Sequence, residues 1–178
     1  MSDYNVVLLV EQPFTTKDAT NLRSLHEDIE DPVVYHVLLP VEDASSRVES
    51  AMGSLATGEV LSTPAVAVGD ADIEGLRKEL LDTCREGVNA TIEQIERAGG
   101  KAFGEPVTND PIRALVSKVS EVDAREVIIL TRPHVVSEFF HVDWTSRARR
   151  KLGVPVLHLL EHENFDEQAG GGEGVSGV

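Results

Sequence analysis

The stretch "VVYHVLLPV", Val33 to Val41, is a nine-residue apolar run rich in Val and Leu that opens just after Asp31-Pro32. A short run of this kind, without alternating polar positions, reads as a strand buried on both faces, the usual condition in a parallel sheet. Upstream, "NVVLLV", Asn5 to Val10, reads the same way. Between the two lies Lys17 to Glu30, where Leu22, Leu25 and Ile29 are spaced three and four apart and give one apolar stripe on a helix. Asp31-Pro32 ends that helix, because the residue before a proline is pushed out of the helical region. The chain therefore opens strand, helix, strand, with the loop "EQPFTT" after the first strand.

Downstream the alternation continues. Ile73, Leu76, Leu80, Cys84, Val88, Ile92 and Ile95 keep helical spacing from Asp72 to Gly99, with Asp70 or Asp72 as cap and Gly99-Gly100 as a left-handed end. At about 1.5 Å per residue that helix spans roughly 39 Å. A weaker strand, Ala102 to Val107, precedes the turn "TNDP" and a helix from Pro111 to about Val122 capped by Asp110. Val127 to Leu130 is a fourth strand. Asp143 caps a fourth helix, Trp144 to Leu152, and Val154 to Leu160, "VPVLHLL", is the last strand. Residues 42–70 are least readable: 45–61 suit a short helix, and "STPAVAVGDAD" reads as irregular. The expected fold is a three-layer, doubly wound α/β sheet of five mainly parallel strands with helices on both faces. Its domain covers residues 1–160, and residues 161–178 form an acidic, glycine-rich tail too poor in apolar residues to fold by itself.

Composition removes several classes of function. Net charge is −15, and the tail from Glu161 to Val178 supplies five of the negative charges with no Lys or Arg, leaving −10 for the rest. Such a surface repels nucleic acid and anionic lipid, so neither is an expected partner. No apolar run approaches the roughly 20 residues that cross a bilayer. The start, "MSDYNVVLLVEQP", carries an acidic residue before its apolar run and no basic segment, unlike a secretory signal. The single cysteine, Cys84, excludes an internal disulfide, fits a reducing cytoplasm, and reads as a small apolar residue on a helix face.

In doubly wound sheets ligands bind beyond the carboxyl ends of the strands, where strand order reverses. Those ends are Val10-Glu11-Gln12, Pro40-Val41-Glu42, Asn109-Asp110 and Thr131-Arg132. The segments "VVLLVEQ", "VVYHVLLPVED", "GGKAFGEPVTNDPIRAL", and "AREVIILTR" followed by "RRKLGVPVLHLL", in that order, resemble the universal stress protein family over about residues 4–160. One branch of that family binds ATP through Gly, two residues, Gly, nine residues, then Gly-Ser or Gly-Thr after the fourth strand. Aligned backwards from Pro155, the final pair falls on Val142-Asp143 and the first glycine near Thr131, with a loop about two residues short. All three glycines are missing. The resemblance places the adenine side of such a site at Glu11 and at the Val37 backbone, and the phosphate side at Thr131 and Asp143.

That phosphate side is hostile. The positive end of a helix attracts an anion by roughly 0.3–1 kcal/mol at an exposed site. An ionised Asp143 about 4 Å from a phosphate oxygen opposes it by about 4 kcal/mol at an effective dielectric of 20. A bridging Mg²⁺ would reverse the sign, since it ligates both groups. The resemblance therefore implies the branch without the glycine loop: a regulatory or protein-interaction module, not an enzyme, with no cofactor. A family-like homodimer through Val154 to Leu160 and an unidentified protein partner are expected. The alternative is an adenine-nucleotide-binding regulator using ATP with Mg²⁺. A hydrolase or transferase acting on a nucleotide-like substrate comes third, for want of an assignable nucleophile or base.

Other candidates have simpler readings. His134, Glu138, His141 and Asp143 share one loop, but their spacing matches no known zinc pattern and reads as a polar loop, so no metal is expected. Phe139, Phe140 and Trp144 fill the space a nucleotide would otherwise take. Arg147, Arg149, Arg150 and Lys151 suit the negative end of a helix dipole. Glu42-Asp43 begins a turn.

Overall fold

A computed structural model describes residues 3–41, 70–131 and 152–160, with the side chains of residues 70–73, 131 and 160 left aside. Eight elements follow in chain order: β1 (Tyr4–Val10), α1 (Thr16–Ser24), β2 (Val33–Pro40), α2 (Asp70–Arg97), β3 (Lys101–Val107), α3 (Pro111–Glu121), β4 (Glu126–Thr131) and β5 (Val156–Leu160). The five strands form one sheet in the order β3-β2-β1-β4-β5. Each of its four pairings is parallel. The expected α/β architecture is the one observed.

Period-two alternation divides the strands between two apolar layers. Val6, Leu8 and Val10 of β1 join Ile128 and Leu130 of β4 in the layer that α1 and α2 cover. Val7 and Leu9 join Val127 and Ile129 in the layer beneath α3. Burying each such side chain contributes about 1.5–3 kcal/mol relative to exposure, which explains why the central strands carry no polar alternation.

Local chemistry sets the helix ends. Asp110 Oδ1 accepts from the amides of Ile112 and Arg113 (2.8 and 3.2 Å), with Pro111 in the first turn of α3. At the end of α2 the Gly100 amide donates to the Ile95 carbonyl and the Gly99 amide to that of Glu96, both at 2.9 Å. Gly99 sits at φ +84°, so this is a Schellman ending, and it needs a residue that accepts the left-handed region. Asp70 and Asp72 fall within α2 rather than ahead of it, a correction to the irregular reading of that segment.

The first helix is also shorter than its pattern. The apolar spacing runs on to Ile29, but α1 stops at Ser24. Beyond it the amides of His26, Glu27 and Ile29 each donate three residues back, to Arg23, Ser24 and His26. These tight turns follow from the His26 side chain, whose Nδ1 lies 3.0 Å from the Leu22 carbonyl and 3.1 Å from the Tyr35 hydroxyl, and whose Nε2 meets the Glu126 carboxylate. A side chain drawn inwards by two other strands outweighs the stripe. The last strand begins at Val156, two residues later than its sequence suggests, with Pro155 offering its carbonyl to the Val127 amide at 2.9 Å. The expected fourth helix lies outside the described residues except for Leu152.

Among the described residues β3 and β5 are the outer strands of the sheet. On β3 the Val107 carbonyl accepts from the Val41 amide at 2.8 Å. Alternation then turns Pro106 outwards, where its missing N–H interrupts the row of donors. β5 has no proline within it.

Candidate site at the switch between the first and fourth strands

The chain winds from β1 to β2 to β3 on one side, then crosses back so that β4 pairs with the other side of β1. The strand order therefore reverses between β1 and β4, and their carboxyl ends bound the crevice where ligands of such sheets sit. Val10 pairs with Leu130, so the next residues, Glu11 and Thr131, stand side by side at the rim. The Glu11 amide donates to the Leu130 carbonyl at 3.3 Å and extends the ladder by one residue.

Of the four residues singled out from sequence, the structure brings these two together. Val37 lies elsewhere. It sits in mid-β2, in register with Leu8 and Gly104, and its side chain is buried in the first apolar layer. Pro40 ends the strand three residues on, so at about 3.3 Å per residue Val37 is roughly 10 Å short of the rim. Asp143 lies outside the described residues, as do His134, Glu138, His141, Phe139, Phe140, Trp144, the Arg147–Lys151 cluster and Glu42-Asp43.

The loop that carries Glu11 is tied down along its length. Phe14 is buried in the core, and its amide donates to Thr91 Oγ1 on α2 at 3.1 Å. Thr91, fully buried, donates in turn to the Gly87 carbonyl at 2.9 Å. A methyl group built on Gly87 would come within 2.8 Å of Pro13 and 3.0 Å of Leu39. The Thr15 amide and hydroxyl both donate to Asp18 Oδ2, at 2.9 and 2.6 Å, in a capping box that starts α1. Sequence reading passed over Gly87 and Thr91, although a signal existed. Leu80, Cys84, Gly87, Val88, Thr91 and Ile95 form the buried face of α2, so a glycine and a hydroxyl stand on a stripe otherwise apolar.

Two cavities formed by described residues lie away from this rim. One, of about 470 Å³, opens at the amino ends of the strands beside Arg23, His26, Tyr35 and Lys101. The other, of about 150 Å³, is lined by His36, Phe103, Glu105 and Lys118 near the β3 edge. Around the smaller cavity, Lys118 Nζ reaches Glu105 at 2.8 Å and Glu121 at 2.9 Å. Burial opposes its charge, yet the hydrogen bonds it donates to these carboxylates prevail and hold the ammonium above the usual lysine value. His36 Nε2 lies 3.0 Å from Asn5 Oδ1, and Asn5 Nδ2 donates to the Val122 carbonyl at 2.8 Å. Since the Asn5 oxygen can only accept, His36 carries its proton on Nε2.

No protein-family model matches the chain, and no curated protein matches it in sequence. Its structure does have solved counterparts. Universal stress protein UspA from Lactobacillus plantarum superposes with a TM-score of 0.53 at 12% identity, over 89% of this chain and 99% of that one. The chain has the universal stress protein fold. Hypothetical protein MJ0577 superposes with a TM-score of 0.57 at 13% identity, over 90% of this chain and 98% of that one. At such identities the likeness concerns the universal stress protein fold, and function has to be argued from the site.

Proposed function

We propose that the protein is a universal-stress-like regulatory or protein-interaction module of the cytoplasm, without enzymatic activity, that does not hold ATP by a glycine loop. One observation carries this reading: residues 125–152, which include the end of β4 and the chain that leaves the switch point, contain no glycine. Amides cradle phosphates closely where no Cβ stands between them, and a triphosphate needs several such contacts at once. Asp143 adds a like charge to the same stretch. No cofactor is required for this role. Self-association through Val156–Leu160, the last strand, supplies the homodimer and leaves other surfaces for a protein partner.

A second reading rests on Glu11 and Thr131, which flank the switch point in register. An adenine nucleotide bound there would need Mg²⁺ to join its phosphates to Asp143. Calorimetric titration with ATP, with and without Mg²⁺, separates the two. No heat in either series supports the module, Mg²⁺-dependent binding without turnover supports the second reading, and release of the γ-phosphate overturns both. Light scattering over a range of concentrations tests the dimer, and a monomer at the highest concentration removes it.

A further inference from the structure

We infer that Thr91 and Gly87, on the buried face of α2, are positioning residues that fix where Glu11 stands at the switch point. The inference rests on the reading that Glu11 belongs to the functional site, and it adds how that site is held. Four contacts carry it. The Thr91 hydroxyl receives the Phe14 amide at 3.1 Å and gives its own proton to the Gly87 carbonyl at 2.9 Å, so one buried oxygen joins the backbone of α2 to the backbone of the loop. Gly87, one turn earlier, leaves the space that Pro13 occupies, since a Cβ there would stand 2.8 Å from the proline ring. At the near end of the loop, the Glu11 amide is held by the Leu130 carbonyl.

The segment from Glu11 to Phe14 is thus anchored at one end to β4 and at the other to α2. With only Gln12 and Pro13 between the anchors, and proline's φ fixed, the loop has little freedom to move one end without the other. Thr91 and Gly87 are 80 and 76 positions from Glu11 in sequence and touch no atom of it in the contacts described, so they act on the site through the loop alone.

Amide hydrogen exchange on the full chain tests this directly, with the Leu8 amide of mid-β1 as reference for global opening. Thr91→Val keeps the shape and removes the hydroxyl. It is expected to raise the exchange rates of both the Phe14 and Glu11 amides, relative to Leu8, by about tenfold, the scale of one lost hydrogen bond. Thr91→Ser, which restores the hydroxyl, should return both ratios to the parent values. Gly87→Ala should shift the Glu11 amide resonance by displacing Pro13. If Thr91→Val changes the Phe14 ratio but leaves Glu11 at the parent ratio, the two ends are uncoupled and the inference is overturned. This readout needs no ligand. Should the parent bind neither AMP nor ATP with Mg²⁺, the nucleotide reading fails while the positioning claim is still decided by the exchange ratios. Should it bind, Thr91→Val should weaken binding and Thr91→Ser should not.

Discussion

His26 and Glu126, a hundred residues apart, meet through Nε2 and a carboxylate oxygen at the amino ends of the strands. The same imidazole reaches the Tyr35 hydroxyl and the Leu22 carbonyl through Nδ1. One side chain thus joins the end of α1 to β2 and β4. The His26 side chain is 5% exposed, so these groups have little water to fall back on. Burial also pushes the Tyr35 phenol well above the usual tyrosine value, which keeps it a neutral partner.

Removing this ring should be costly. His26→Ala is expected to lower unfolding free energy by about 1–3 kcal/mol in urea titration, the penalty for buried polar groups left unpaired. Tyr35→Phe, which removes only a hydroxyl, should cost about 0.5–1.5 kcal/mol. A His26→Ala variant within the error of the parent would show that the cluster does not hold the fold.

Two glycines should respond in opposite directions. A methyl group at Gly104 would lie 2.7 Å from Val88 and 3.1 Å from Val37 Cβ, so Gly104→Ala overpacks the layer between β3 and α2 and should destabilise by about 1–3 kcal/mol. Gly75, within α2, has nothing within 4 Å of such a methyl. Gly75→Ala should therefore stabilise by about 0.5–1 kcal/mol through helix propensity. Thermal melts of the two variants check both signs, and agreement in sign would refute the packing argument.

Stability should fall on mild acidification. Burial, and after it the nearby Lys118, holds the His36 imidazole below the ordinary histidine value of about 6.5. Burial does the same to His158. The folded protein then binds these protons less readily than the unfolded chain. Their contribution is complete above about pH 6.5 and is lost as pH drops through the lower folded values. His36→Gln should reduce the difference in Tm between pH 7.5 and 5.5 without abolishing it, since His158 keeps its share. An unchanged difference would rule out His36 as a source.

The single thiol offers a probe of opening. Cys84 is buried, its Sγ lies 3.3 Å from the Leu39 carbonyl, and burial raises its pKa. Alkylation at pH 7.5 should be at least about a hundredfold slower than in urea-unfolded protein, because the thiolate is both scarce and enclosed. Rapid labelling of the native protein would mean that α2 leaves the sheet readily.

Much of this fold is legible in sequence because its determinants are local. "NVVLLV" and "VVYHVLLPV" are strands on apolar content alone, and Asp110-Pro111 and Gly99-Gly100 mark helix ends through chemistry confined to a few residues. What escaped depends on distant partners. Leu25 and Ile29 continue the stripe of α1, but no local pattern reveals that His26 will be drawn away by Tyr35 and Glu126. Strand order is equally non-local, and the switch between β1 and β4 singles out Glu11 and Thr131 among the several strand ends. Val37 shows the complement: a match of motif put it at the site, whereas register puts it in mid-strand.

The two borders of the sheet are chemically unequal. On β3, Pro106 breaks the donor row, and the charged side chains of Lys101 and Glu105 are exposed beside it. β5 has neither device within Val156–Leu160. A strand laid against β3 would therefore meet a gap in its ladder at Pro106 and a charged side chain at either end, so this border discourages sheet-to-sheet aggregation at the cost of one withheld amide.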